Sequence, residues 1–109
     1  MSTRASILVK DNNDKCYLYH HHDGYPDGVG QTLVEYLKTK CGFSYWDLEE
    51  IVNELIKLEN DEYEYTTCIH GDEEYFYLID CYKKELSYTT WSNENPVILY
   101  KYENETRNA

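Results

Sequence analysis

The chain has 109 residues, a formal net charge of −11 and a hydrophobic fraction of 41%. That length fits one domain with one modest core, here read as residues 1–109 with a polar tail from about residue 103. The acidity argues against direct nucleic-acid binding, which needs clustered lysine and arginine. No run approaches the ~20 apolar residues that span a bilayer.

In chain order, Ser6 to Lys10 is a short apolar run and Asp11-Asn12-Asn13-Asp14 is turn chemistry. Lys15 to His22 then completes a predicted hairpin. Ile7-Leu8-Val9 is too short for a signal-peptide core, so no leader is expected. Asp23 to Gly30 is rich in Gly, Pro and Asp and breaks the strand. From Val29 the period changes: Val29, Leu33, Leu37 and Cys41 recur at helical spacing, and Gly42 supplies a stop.

A second helix begins with Ser44 and Asp47 in capping-box spacing, with Phe43 and Leu48 placed as a hydrophobic staple. Leu48, Ile51, Val52, Leu55 and Leu58 form its apolar face. Strands follow at Tyr63 to His70 and Tyr75 to Tyr82, joined by a Gly71-Asp72-Glu73 turn. After a Lys83-Lys84-Glu85 tip come Leu86 to Trp91, a Ser92 to Pro96 loop, and Val97 to Tyr102. The expected fold is α+β: an antiparallel sheet of five to six strands, order ββααββββ, with two helices on one face.

The stretch His20-His21-His22-Asp23 crowds metal-ligand types together. In a strand His20 and His22 share one face, and His21 and Asp23 the other. Two ligands on a face do not complete a site, and neither a metal nor another cofactor is expected. Gly24, Gly28 and Gly30 match neither dinucleotide nor P-loop spacing, so they are read as conformational. Cys16, Cys41, Cys68 and Cys81 form no CxxC pair and read as reduced, mostly buried thiols.

Thr3-Arg4-Ala5-Ser6-Ile7, followed by His21, Asp23-Gly24-Tyr25-Pro26, Gly28-Val29-Gly30 and Leu33, resembles a family of small phage and prophage proteins. These share a TRxxI-type strand and an HxDGYPxGVG turn, and have no established activity. The resemblance covers roughly the first 40 residues. It implies a setting, the cytoplasm of an infected or lysogenic bacterium, and marks Arg4, His21, Asp23, Gly24, Tyr25, Pro26, Gly28, Val29 and Gly30 as the motif.

The acidity is local. Between Asp47 and Glu74 stand eleven carboxylates and one lysine, a net −10 of the chain's −11. On a helix, Asp47, Glu50, Glu54 and Asp61 would fall within about 60° of one another, with neighbours about 5–6 Å apart, comparable with phosphate spacing. Glu62, Glu64, Asp72, Glu73 and Glu74 extend the charge, and Tyr63, Tyr65 and Tyr75 are candidate exposed anchors among thirteen tyrosines.

No nucleophile–base–orienter set assembles along the sequence, and the reading leans away from an enzyme. The leading expectation is an acidic, phage-borne interaction protein. It would block a basic, nucleic-acid-binding host defence factor, as anti-restriction and anti-CRISPR proteins do. The alternatives are a small-ligand or metal-binding protein built on the turn, and a phage accessory or structural protein.

Overall fold

Asp11 closes the first hairpin with its side chain. Its carboxylate accepts the backbone N–H groups of Asn13 and Asp14 at 2.8 and 2.7 Å, and those bonds hold its pKa below the usual carboxylate value. The strands it joins are β1 (Ala5–Lys10) and β2 (Lys15–His20), paired antiparallel in the computed structural model, which describes residues 3–21, 23–40, 46–57, 63–67, 69 and 71–101.

Next comes a π-helical turn, Pro26–Gly30, and then α1 (Gln31–Lys40), α2 (Leu48–Lys57), β3 (Tyr63–Thr66), β4 (Tyr75–Asp80), β5 (Glu85–Thr90) and β6 (Asn93–Lys101). The π-helical turn departs from the expected element order. Its first residue, Pro26, needs no amide partner there, and the following glycines allow the tight path into α1.

The six strands run β3-β2-β1-β4-β5-β6. The expectation of an antiparallel sheet fails at the centre, where β1 and β4 pair in parallel. Gly71-Asp72-Glu73 is not a hairpin turn. β3 stops at Thr66, β4 lies on the far side of β1, and the described residues 71–74 form a crossing segment set against β1 and β2. The two parallel partners, Ala-Ser-Ile-Leu-Val and Tyr-Phe-Tyr-Leu-Ile, are near-continuous apolar runs, as strands in parallel pairing commonly are.

Pleating sorts the sheet into two faces. Ala5, Ile7, Val9, Leu18, Tyr77, Ile79 and Leu86 point to the helices and join Leu33, Leu37, Ile51, Val52 and Leu55 in one core. Each large apolar side chain buried there contributes about 2 kcal/mol. Trp46 stacks parallel to Tyr100 at 6.3 Å at the edge of that core. Among the described residues, no helix lies on the opposite face.

Asp47 is itself the cap of α2. Its carboxylate accepts the Glu50 N–H at 2.9 Å while its carbonyl accepts that of Ile51 at 3.0 Å. Ser44 and Phe43, the expected cap and staple, lie outside the described residues, as do Cys41, Gly42 and Leu58. The expected Ser92–Pro96 loop belongs mostly to β6. Pro96 is tolerated because β6 is an edge strand and its pairing with β5 is irregular between Tyr88 and Thr90.

Candidate functional site

The acidic segment divides into two groups with different environments. On α2, Glu49 and Glu50 are exposed, and Glu54 is half-buried, accepting the Tyr36 hydroxyl at 2.6 Å and so tying α2 to α1. Glu64 lies 3.1 Å from His21 Nε2, an ion pair only when that imidazole is protonated. Asp61 and Glu62 lie outside the described residues.

In the crossing segment the carboxylates differ: Glu73 is buried, whereas Asp72 and Glu74 are exposed. Asp72 accepts the Tyr19 hydroxyl at 2.7 Å and sits 3.5 Å from Arg4 Nε. Burial first, and then the Asp72 hydrogen bond, push the Tyr19 phenol up to about 12. Glu73 is 1% exposed; its carboxylate accepts the Ser6 hydroxyl and, at 2.7 Å, the Gly71 N–H. The neighbouring Glu74 is exposed, and its N–H donates to the Arg4 carbonyl at 2.8 Å.

Ser6 and Tyr19 belong to the helix-free face. The segment is therefore pinned over β1 and β2 by the very residues expected to meet a partner. Glu73 is withdrawn from any surface, which corrects its assignment as a contact residue. The tyrosines split likewise. Tyr65 is 64% exposed, whereas Tyr63 is 1% exposed against His20, and Tyr75 is half-buried beside Tyr77 and Tyr88. Both lie on one face of the edge strand β3: Tyr63 is covered beside His20, whereas Tyr65, opposite Leu18, is open to solvent.

The HxDGYPxGVG stretch is held together by its own groups. Asp23 takes a left-handed conformation (φ 56°), which a short polar side chain tolerates, and its carbonyl accepts the Val29 N–H at 2.8 Å. A Cβ on Gly28 would stand 2.3 Å from that carbonyl oxygen, and one on Gly24 would stand 2.9 Å from the Thr3 carbonyl. Tyr77 donates to the Gly24 carbonyl at 2.6 Å from beneath, and burial raises its pKa. The Tyr25 hydroxyl meets the Asp23 carboxylate at 3.2 Å, and the pKa of this tyrosine is raised mainly by that negative charge.

Arg4, Pro26, Val29 and Gly30 complete the arrangement. The first reaches the crossing segment, Pro26 opens the π-helical turn, Val29 is buried, and Gly30 packs beside Leu99 and Tyr77. A small hollow of about 190 Å³ lies at His20, Asp23, Asp27 and Thr32. Among the described residues, no three His, Cys, Asp or Glu side chains converge as metal ligands. His21 and His20 point to opposite faces, and His22 lies outside the described residues.

One feature of the fold has no counterpart among the expected site residues. The helix-free face carries an apolar groove of about 530 Å³, floored by Leu8 and Leu78 and walled by Tyr17, Phe76, Ile69 and Trp91. Its signal was present in Leu8 of β1 and in Phe76 and Leu78 of β4, apolar residues at the alternation where one-sided strands would show polar ones. Among the described residues, no helix is long and apolar enough to cross a membrane. No protein-family model, curated protein or solved structure matches the chain.

Proposed function

We propose that this chain is a partner-binding protein whose partner is basic, and that α2 presents its charge to that partner. The observation that carries the reading is the exposure of Glu49 and Glu50 in the first turn of α2, within a segment whose formal charge is −10. Clustered exposed carboxylates raise the local concentration of a cationic partner and speed its docking. In the phage setting implied by the N-terminal motif, that partner is a nucleic-acid-binding host protein, and the carboxylates compete for the groove that holds phosphates.

The test uses Glu49→Lys with Glu50→Lys rather than a change at Glu54, because Glu54 is bonded to Tyr36 and its loss would disturb packing. Immobilised protein is exposed to nuclease-treated bacterial lysate. The wild type retains a nucleic-acid-binding protein that duplex DNA displaces, and the double reversal retains none. Equal retention by both would remove α2 from the reading.

A further inference from the structure

The groove on the helix-free face has the shape and chemistry of a recognition site. At about 530 Å³ it falls within the usual range for ligand-sized clefts, roughly 300–1,000 Å³. Its most exposed wall is Trp91, whose surface is 66% open to solvent. That ring is nonetheless fixed. Its Nε1–H donates to the Glu73 carbonyl at 2.7 Å, and its edge-to-face partner Phe76 lies 4.8 Å away at 86°. A large aromatic held open by a hydrogen bond and a ring contact is what an interface anchor requires, because less freedom remains to be lost on binding.

Charge decides the occupant. Glu94 lines the same groove, exposed, with no ion pair among the described residues. A carboxylate lining the same groove as Trp91 and Phe76 suits an ammonium or guanidinium group on an apolar stem. The leucine floor suits an aliphatic side chain. A net charge of −11 favours a cationic occupant and opposes a second copy of the chain, which would bring the same charge to the face.

The geometry points to a groove that receives a short basic, amphipathic segment of a protein partner. Its apolar side chain would rest on Leu8 and Leu78, and its Lys or Arg would lie between Trp91 and Glu94. This rests on the reading of the protein as a binder of basic partners, and places a second contact on the face away from the helices.

Fluorescence anisotropy of a labelled, alternating Lys–Leu peptide at physiological salt tests it, with a Lys–Ser peptide of equal charge and a Glu–Leu peptide as comparisons. The Lys–Leu peptide should bind about tenfold more tightly than either. Trp91→Ala and Glu94→Lys should each weaken it about tenfold, and each by more than Glu49→Lys with Glu50→Lys does. Glu94→Lys lies on an exposed edge strand, so its result stands even if Trp91→Ala loosens the crossing segment.

Equal binding of Lys–Ser would mean bulk charge alone, and equal binding of Glu–Leu would remove the basic chemistry; either overturns the assignment. Loss of binding on helix reversal but not in Glu94→Lys would place the peptide on α2, overturning the groove while leaving the basic-partner reading intact. A dimer in sedimentation that Trp91→Ala dissolves would give the face to a second copy.

Discussion

Two parts of one acidic segment behave in opposite ways. At the start of α2, Glu49 and Glu50 stand in solvent, and of the α2 carboxylates only Asp47 and Glu54 serve the fold through a cap and a tether. In the crossing segment, Asp72 and Glu73 face the sheet, bonded to Tyr19 and Ser6. The same residue types at similar density thus give outward charge in one place and, in the other, carboxylates tied to side chains of the sheet, one of which, Glu73, is buried. Formal charge along a chain is therefore not surface charge. What separates the cases is backbone path: a helix can keep its polar side outward, but a connection lying flat on a sheet must satisfy the polar groups it covers.

The largest effect should come from removing a strut. Glu73→Ala leaves the buried Ser6 hydroxyl and the Gly71 N–H without their acceptor and should cost about 2–3 kcal/mol. Glu73→Gln retains an acceptor oxygen and should cost about half as much. Urea-denaturation midpoints measure both. If Glu73→Ala leaves the midpoint unchanged, the crossing segment is not held by this residue and the contrast with α2 collapses.

A smaller effect should appear in alkali. The Tyr19 pKa is raised to about 12 in the fold from 10.0, so the unfolded chain releases this proton first. Its contribution is complete below about pH 10 and is lost as pH climbs toward about 12, at up to about 1.4 kcal/mol per pH unit. Tyr77, raised by burial, acts with the same sign. In Tyr19→Phe the stability curve should flatten over that window, and tyrosinate absorbance should show one fewer late-titrating group. An undiminished slope would detach Tyr19 from the crossing segment's stability.

Local chemistry made much of the fold legible. Asp11 to Asp14 reads as a turn because the bonds that close it lie within three residues. The apolar period of α2 reads as a helix because Ile51, Val52 and Leu55 must share one side. What escaped was non-local. Glu73 resembles a turn carboxylate until Ser6, sixty-seven positions away, comes beneath it. The parallel pairing of β1 with β4 was visible only as a missing alternation, and the same runs allow a buried antiparallel strand. The candidate site fared similarly. The exposure of Glu50 and Tyr65 followed from position on a helix and an edge, whereas Trp91 became a fixed wall only once the Glu73 carbonyl was in place.

The smallest effect should belong to the charges that face outward. Glu49 and Glu50 lie in the first turn of α2, where carboxylates complement the positive end of the helix. Reversing both loses that attraction, about 0.3–1 kcal/mol for each, and adds a repulsion weakened by solvent screening, but touches no buried partner. The double variant should therefore melt only a few degrees below the wild type, by less than Glu73→Ala, and with a salt-dependent difference, because exposed charges are screened. Circular dichroism melts at low and high salt decide the matter. A loss as large as that of Glu73→Ala, insensitive to salt, would make these carboxylates structural as well. A small, salt-screened loss would mean that stability does not require the charge on this part of α2, leaving it available to a partner.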